Sequence, residues 1–246
     1  MTEPTRAEQQ TFDLAGEPAM GRGDFLSTPS NALALAAVEN PDGLPAGLLV
    51  LTGPEGSGKT HLGQVWAART GARQLESHAL PAALPALLAP DAPHALLIDD
   101  AERIAETPAE EALFHLVNHL RGKGQILLTA RRPVRDWGLV LPDLVSRLTA
   151  AAHVALAEPD EALLAAVLVK LFNDRQLRVQ PALIDFLLGR MERSLAEAGV
   201  LVADLDARAL RLGRPVTRAL AQEMLAEREA AGLPLDNPPS GGASSN

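Results

Sequence analysis

The chain is expected to be an α/β protein in which helices cover both faces of a parallel sheet and a small all-helical unit follows. Three features carry that expectation. Residues 53–60 read Gly-Pro-Glu-Gly-Ser-Gly-Lys-Thr, filling every fixed position of the phosphate-loop pattern G-x-x-x-x-G-K-[ST]. Around and after this stretch, short apolar runs alternate with helical patterns as far as residue 156. Beyond Glu158-Pro159 the strand-like runs stop and only helical patterns remain.

The context of the loop matches its pattern. Residues 47–52 are short, apolar and opened by glycine, as a buried parallel strand should be. Residues 61–68 place Leu62, Val65 and Trp66 on one helix face. Between strand and helix, Gly53, Gly56 and Gly58 let the backbone curl with its N–H groups turned inward on a phosphate. The new helix adds unpaired N–H groups and its positive end. Lys59 would reach the β- and γ-phosphates, and the Thr60 hydroxyl would bind Mg²⁺.

Composition sets the bounds. Of 246 residues 47% are apolar but only 3% aromatic, so Leu, Val and Ala must fill the interior. A formal charge of −9 supplies no global positive field to draw the chain onto DNA. The absence of cysteine excludes a disulfide framework and a thiolate metal site, and suits a reducing cytoplasm. The first residues are polar and lack a signal-peptide core. The longest strongly apolar run, 162–169, stops at Lys170, short of the roughly 20 residues of a membrane span. A soluble cytoplasmic protein is expected.

In chain order, residues 1–24 are expected to form a flexible arm whose one feature is Gln9-Gln10-Thr11-Phe12-Asp13-Leu14. Pro29-Ser30-Asn31 opens a helix through Val38, stopped by Asn40-Pro41-Asp42-Gly43. After the loop and its helix, 73–76 reads as a short strand and 80–88 as a helix in spite of Pro85. Residues 94–100, His-Ala-Leu-Leu-Ile-Asp-Asp, form a buried strand ending in two acids. Opposite a phosphate loop, Asp99 would hold Mg²⁺ and Asp100 would orient or deprotonate an attacking water. Asp100 is shorter than the Glu most such ATPases carry, so modest hydrolysis is expected.

Thr107-Pro108-Ala109-Glu110 reads as a capping box with proline at the first helical position, and Leu113, Leu116, Val117 and Leu120 as the buried face. His115 and His119 lie four apart with no further ligand type nearby, and read as surface residues. Residues 125–129 form another core strand, which puts Thr129 at the carboxyl edge of the sheet, where α/β folds bind ligands. Arg131-Arg132-Pro133 follows, then a short helix at 141–148 and a last strand at 153–156.

Helices are expected at 160–173, 181–191, 194–212 and 217–229, with Pro181 in a first turn and Ser194 and Glu197 as a second capping box. Acids and bases number ten each between 159 and 228, so this bundle offers no basic recognition face. The expected layout is an arm at 1–24, a nucleotide-binding domain at 25–158, a helical lid at 159–230 and a disordered tail at 231–246, rich in Pro, Gly and Ser.

A phosphate-loop core followed by a small helical lid resembles the AAA+ ATPases. Gly58-Lys59-Thr60-His61-Leu62 and Leu96-Leu97-Ile98-Asp99-Asp100 resemble their replication-initiator group, DnaA and the helicase loaders. More specifically, Leu128-Thr129, Arg132-Pro133, Gly138-Leu139, Leu141-Pro142-Asp143-Leu144 and Ser146-Arg147-Leu148 resemble the Hda family of DnaA regulators. The resemblance runs from the arm to about residue 228, nearly the whole chain.

The resemblance implies ADP or ATP with Mg²⁺, held by Gly53, Pro54, Glu55, Gly56, Ser57, Gly58, Lys59, Thr60 and His61, with Thr60 and Asp99 on the metal. It implies Thr129 as the first sensor, Asp100 at the attacking water and Arg147 as an arginine finger acting in trans on a neighbour's ATP. The second sensor arginine of the family falls on Ala196, and Arg193, one turn earlier, would have to substitute. Gln9, Phe12 and Leu14 have the form of the peptide that docks on the DNA polymerase III sliding clamp.

The implied partners are that clamp and DnaA, with no membrane and no direct sequence-specific DNA binding. A homo-oligomer is compatible. The implied function is a regulator of chromosomal replication initiation that binds the clamp, promotes hydrolysis of DnaA-bound ATP and so inhibits initiation. Its own ATPase activity would be weak or partner-directed. Two readings compete: a helicase-loader ATPase, which would bind helicase and single-stranded DNA, and a non-hydrolysing nucleotide-dependent adaptor. The absence of Tyr and the scarcity of Phe leave few stacking platforms for single strands.

Overall fold

The computed structural model describes residues 21–106 and 108–230. Five strands, β1 (Leu48–Thr52), β2 (Arg73–Glu76), β3 (Ala95–Asp99), β4 (Gln125–Ala130) and β5 (Ala152–Ala155), pair in parallel in the order β2-β3-β4-β1-β5. The expected parallel α/β sheet is borne out. Its three central strands are the continuous apolar runs, because a strand covered on both faces has no polar side to show. The edge strands β2 and β5 are the more exposed ones.

Successive side chains of a strand point to opposite faces, and the core divides accordingly. Leu49 and Leu51 pack with Leu62, Val65 and Trp66 of α2 (Lys59–Thr70) and with Ala34, Leu35 and Val38 of α1 (Ala32–Glu39). Leu48 and Val50 belong to the other face, under α3 (Leu80–Leu87), α4 (Glu110–Leu120) and α5 (Pro142–Thr149). At Gly63 in α2 an added Cβ would stand 3.0 Å from Leu97 Cδ1, so the missing side chain sets how closely the loop's helix lies on β3.

The last four helices, α6 (Glu161–Asp174), α7 (Pro181–Leu188), α8 (Leu195–Leu212) and α9 (Arg218–Ala230), enclose their own cluster, with Leu168, Phe172, Leu187, Leu201, Leu205 and Leu220 at its centre. Three starts are capped by side chains. Asp160 accepts from Leu163 N–H at 2.7 Å, Ser194 from Glu197 N–H at 3.2 Å and Thr217 from Leu220 N–H at 3.3 Å. Such caps contribute about 0.5–2 kcal/mol each.

One helix start differs from expectation. α4 begins at Glu110 with Ala109 as its cap, and Pro108 lies in the preceding turn rather than at the first helical position. Thr107 is outside the described residues. Glu110 is engaged elsewhere: its Oε1 accepts the N–H groups of Val140, at 2.8 Å, and Leu141, at 2.6 Å. A carboxylate committed to that loop is not the one that closes a box on its own helix. α7 also stops earlier than expected, with Gly189 as its cap.

At the other end, Arg22–Asp24 form a 3-10 turn, although they fall within the expected arm. Arg22 pairs with Glu39, and Asp24 pairs with Lys170 of α6 at 2.8 Å. The Gln9, Phe12 and Leu14 peptide and the 231–246 tail lie outside the described residues. Among the described residues no helix is long and apolar enough to cross a membrane.

Candidate nucleotide site

Because β4 lies between β1 and β3, three strand ends converge at one edge: the loop leaves β1, Asp99 and Asp100 end β3, and Thr129 sits in β4. The loop is tied to this edge at its first residue, where Gly53 N–H donates to Ala130 O at 3.2 Å. Lys59, 8% exposed, donates from Nζ to Gly53 O and Pro54 O, both at 2.8 Å. The lysine thus sits inside the turn that its own chain makes. Burial pulls its ammonium below the usual lysine range, and the Arg131 cation nearby adds to that fall. Carboxylates of Glu102, Asp99 and Asp100 oppose it.

Four expected residues form one hydrogen-bonded chain. Thr60 Oγ1 donates to Asp99 Oδ2 at 3.1 Å, Thr129 Oγ1 donates to Asp99 Oδ1, and Asp100 N–H donates to Thr129 Oγ1 at 3.3 Å. Thr129 has no exposed surface, so its hydroxyl fixes the carboxylate from within the sheet. A hydroxyl and a carboxylate oxygen brought together beside a loop wrapped on a lysine suit Mg²⁺ with a nucleotide, since that cation takes oxygen ligands and shares them with phosphates. Asp100 has φ +49°, a left-handed conformation uncommon outside glycine, though Asp tolerates it better than most. Its N–H bond to Thr129 holds the chain in that turn.

The helical bundle reaches this edge. Leu195 N–H, in the first turn of α8, donates to Gly56 O at 2.8 Å. Gly56 has φ +68°, and a Cβ there would stand 1.9 Å from Ser194 Oγ. Only glycine serves at that position. Ala196, at the position of the missing second sensor arginine, and Arg193, its expected substitute, flank this contact and are both exposed. Arg193 makes no ion pair among the described residues.

His61 is half-buried beside the loop. Its Nε2 lies 3.2 Å from Gly21 O, and its ring meets Phe25 edge-on at 5.2 Å. Burial holds its pKa below the ordinary value. Nothing in the sequence pointed to Phe25, whose ring packs against His61 beside the loop.

Arg147 is set apart from this chain of bonds. It lies on α5, whose Leu144 and Leu148 are buried in the sheet's core. Glu110 of α4 pins the residues that lead into the helix. The Arg147 side chain is half-exposed and makes no ion pair among the described residues. His115 is exposed, and His119 stands 3.3 Å from Lys123 Nζ.

Sequence reasoning passed over Arg131 and Glu102. Arg131 Nη1 lies 2.5 Å from Glu55 Oε2 of the loop, and its N–H donates to Glu102 Oε1 at 3.2 Å. No motif spacing links residues 55, 102 and 131. The only signal was a cation directly after the strand that carries Thr129.

No family model matches the chain. Over 139 residues it is 29% identical to the chromosomal replication initiator protein DnaA of Enterococcus faecalis, a stretch that is 56% of this chain and 31% of that protein. The chain therefore spans about a third of that relative's length. Domain III of the Thermotoga maritima replication initiation protein DnaA superposes with a TM-score of 0.74 at 22% identity, covering 86% of this chain and 97% of that one. The replication initiator DnaA bound to AMPPCP and single-stranded DNA gives 0.68 at 21% identity, covering 87% and 70%. The chain has the fold of DnaA domain III, and over those 139 residues it is similar in sequence to DnaA.

Proposed function

We propose that the protein is a nucleotide-binding regulator of chromosomal replication initiation. It carries ADP or ATP with Mg²⁺, is tethered to the sliding clamp by Gln9, Phe12 and Leu14, and presents Arg147 to ATP held by DnaA. Hydrolysis in the partner then switches the initiator off. The observation that carries the nucleotide part is the convergence of Thr60 and Thr129 on the two oxygens of Asp99, beside a loop wrapped on Lys59. The Arg147 cation, which has no ion pair among the described residues and sits on a pinned helix, and the likeness to DnaA domain III, support the partner-directed part.

Mg²⁺, when bound, would supply positive charge that offsets the charge of the phosphates. Lys59 would exchange its two loop carbonyls for phosphate oxygens, with Thr60 and Asp99 on the metal. Asp100 would orient a water in this chain's own site, and the short reach of Asp makes that turnover slow. Arg147 moves no proton. Its guanidinium stabilises charge developing on the phosphoryl group transferred in the partner, an effect of about 10³–10⁵ in rate.

Two variants test this reading. Arg147→Ala should keep nucleotide affinity and clamp binding, yet lose the acceleration of hydrolysis by ATP-loaded DnaA, measured with clamp on DNA. Stimulation at the level of the unaltered protein removes Arg147 from the mechanism. Phe12→Ala with Leu14→Ala should weaken clamp binding at least about tenfold, since burying each side chain is worth about 1.5–3 kcal/mol before ordering costs. Native affinity in that titration makes the hexamer a plain tail and returns the helicase-loader reading.

A further inference from the structure

Arg131 stands at the mouth of the phosphate loop, and nothing in the proposed function uses it. It directly follows Ala130, whose carbonyl accepts the N–H of Gly53, so its backbone is one residue from the loop's anchor. It lies two residues past Thr129, directly after β4, the strand between β1, which leads into the loop, and β3, which ends in Asp99. Its guanidinium is divided between two acids. Nη1 is 2.5 Å from Glu55 Oε2, whereas Nε is 4.0 Å from Glu102 Oε1.

Neither acid suits it as a final partner. Glu55 belongs to the loop, where a carboxylate repels an incoming phosphate, and the pair is about half exposed on both sides. Exposed pairs of this kind hold weakly. Glu102 is 5% exposed, yet its Oε2 accepts no hydrogen bond among the described residues. A buried carboxylate oxygen without a donor calls for an explanation, as does an arginine that uses few of its five donors. The arrangement holds a cation near the loop without saturating it. Lys59 already feels that cation, which helps to depress its pKa.

We propose that Arg131 is a second phosphate-binding cation of this site, one that distinguishes a nucleoside triphosphate from a diphosphate. Glu55 keeps the guanidinium in reserve, and the terminal phosphate of a bound triphosphate takes it over. Glu102 holds the Arg131 backbone in place through either state. A guanidinium fits phosphate oxygens with two parallel N–H bonds, and phosphate carries more charge than a lone carboxylate. A diphosphate lacks that terminal phosphate and would leave the arginine on Glu55. The inference rests on the reading of the loop as a nucleotide site. It would also supply from this chain's own sheet a cation that Ala196 does not provide.

The competing explanation is that Arg131 only neutralises Glu55. Calorimetric titration of the full chain with Mg²⁺-ADP and with Mg²⁺ and a non-hydrolysable ATP analogue separates the two. Arg131→Ala should weaken the triphosphate by about tenfold or more and the diphosphate by less than about threefold, as for loss of one charge-assisted pair. Glu55→Gln should tighten the triphosphate by releasing the arginine. The double variant should behave like Arg131→Ala, because the lost contact is with phosphate. Should Arg131→Ala fail to fold, Arg131→Gln keeps the length, removes the charge and carries the same test.

An equal loss for both nucleotides, no loss, or a double variant that regains the original ratio overturns the proposal. If the unaltered protein binds neither nucleotide, the nucleotide reading itself falls and this inference with it. If it binds both and Arg131→Ala keeps the ratio, this inference alone falls.

Discussion

The carboxyl edge of the sheet and the interior of the helical bundle are built on opposite rules. In the bundle, Phe172, Leu201 and Leu205 have no exposed surface and pack among other buried apolar side chains. Its buried charge, Glu197, lies in the first turn of α8, where the helix approaches the loop. At the strand ends, Ser57, Lys59, Glu102 and Thr129 are all buried, and Asp100 holds a left-handed backbone. Burying polar groups and bending a non-glycine residue both lower stability unless something compensates. The bundle is therefore where folding energy is gained, and the edge is where some of it is committed to a ligand.

Substitutions can break that contrast, and the largest effect is expected in the bundle. Leu201→Ala removes a fully buried side chain and should lower unfolding free energy by about 2–5 kcal/mol in a urea titration. At a temperature where the variant is folded, its ADP affinity should stay within about threefold of the original. A matching collapse of nucleotide affinity would show that the two regions are not separable. Lys59→Ala should do the reverse. Losing a cation at the β- and γ-phosphates should weaken ADP and ATP at least about tenfold, or 1.4 kcal/mol, with little change in the urea midpoint. Unchanged affinity by calorimetry would make the loop a structural turn.

The smallest effect belongs to His61, where the edge meets the chain at Gly21 and Phe25. Burial depresses its pKa, while Gly21 O and Asp24 pull the other way and Lys170 adds to the fall. The fold therefore prefers the neutral ring. That contribution is fully present above the ordinary value of about 6.5 and is lost as pH falls through the lower folded value, where the unfolded chain takes the proton more readily. Without nucleotide, Tm should drop as pH falls below about 6.5, and His61→Gln should flatten that slope. An equal slope in both proteins would assign the drop to other groups.

Much of this was legible in the sequence because it is periodic or motif-bound. The apolar runs of β1, β3 and β4 announced a sheet covered on both faces, and the loop pattern located Lys59 and Thr60. The two acids after Ile98 and the threonine ending an apolar run led to the chain Thr60–Asp99–Thr129. What escaped was long-range and side-chain specific. Glu110 matched a local cap, yet its carboxylate found better donors 30 residues away in Val140 and Leu141. Strand order decided that Arg131 would face Glu55, and no local pattern encodes strand order. Gly56 was legible as a loop glycine, but the reason it must be glycine, Ser194, belongs to another part of the chain.

The bond from Leu195 N–H to Gly56 O has a consequence for how the molecule can be watched. Amides in the first turn of a helix have no carbonyl of their own helix to protect them, so they exchange with solvent quickly. This one is shielded only while the bundle rests on the loop. Its protection therefore reports the free energy of parting those two elements rather than that of global unfolding. A slowly exchanging Leu195 amide at the head of α8 would report that parting in the isolated protein, with no ligand or partner added.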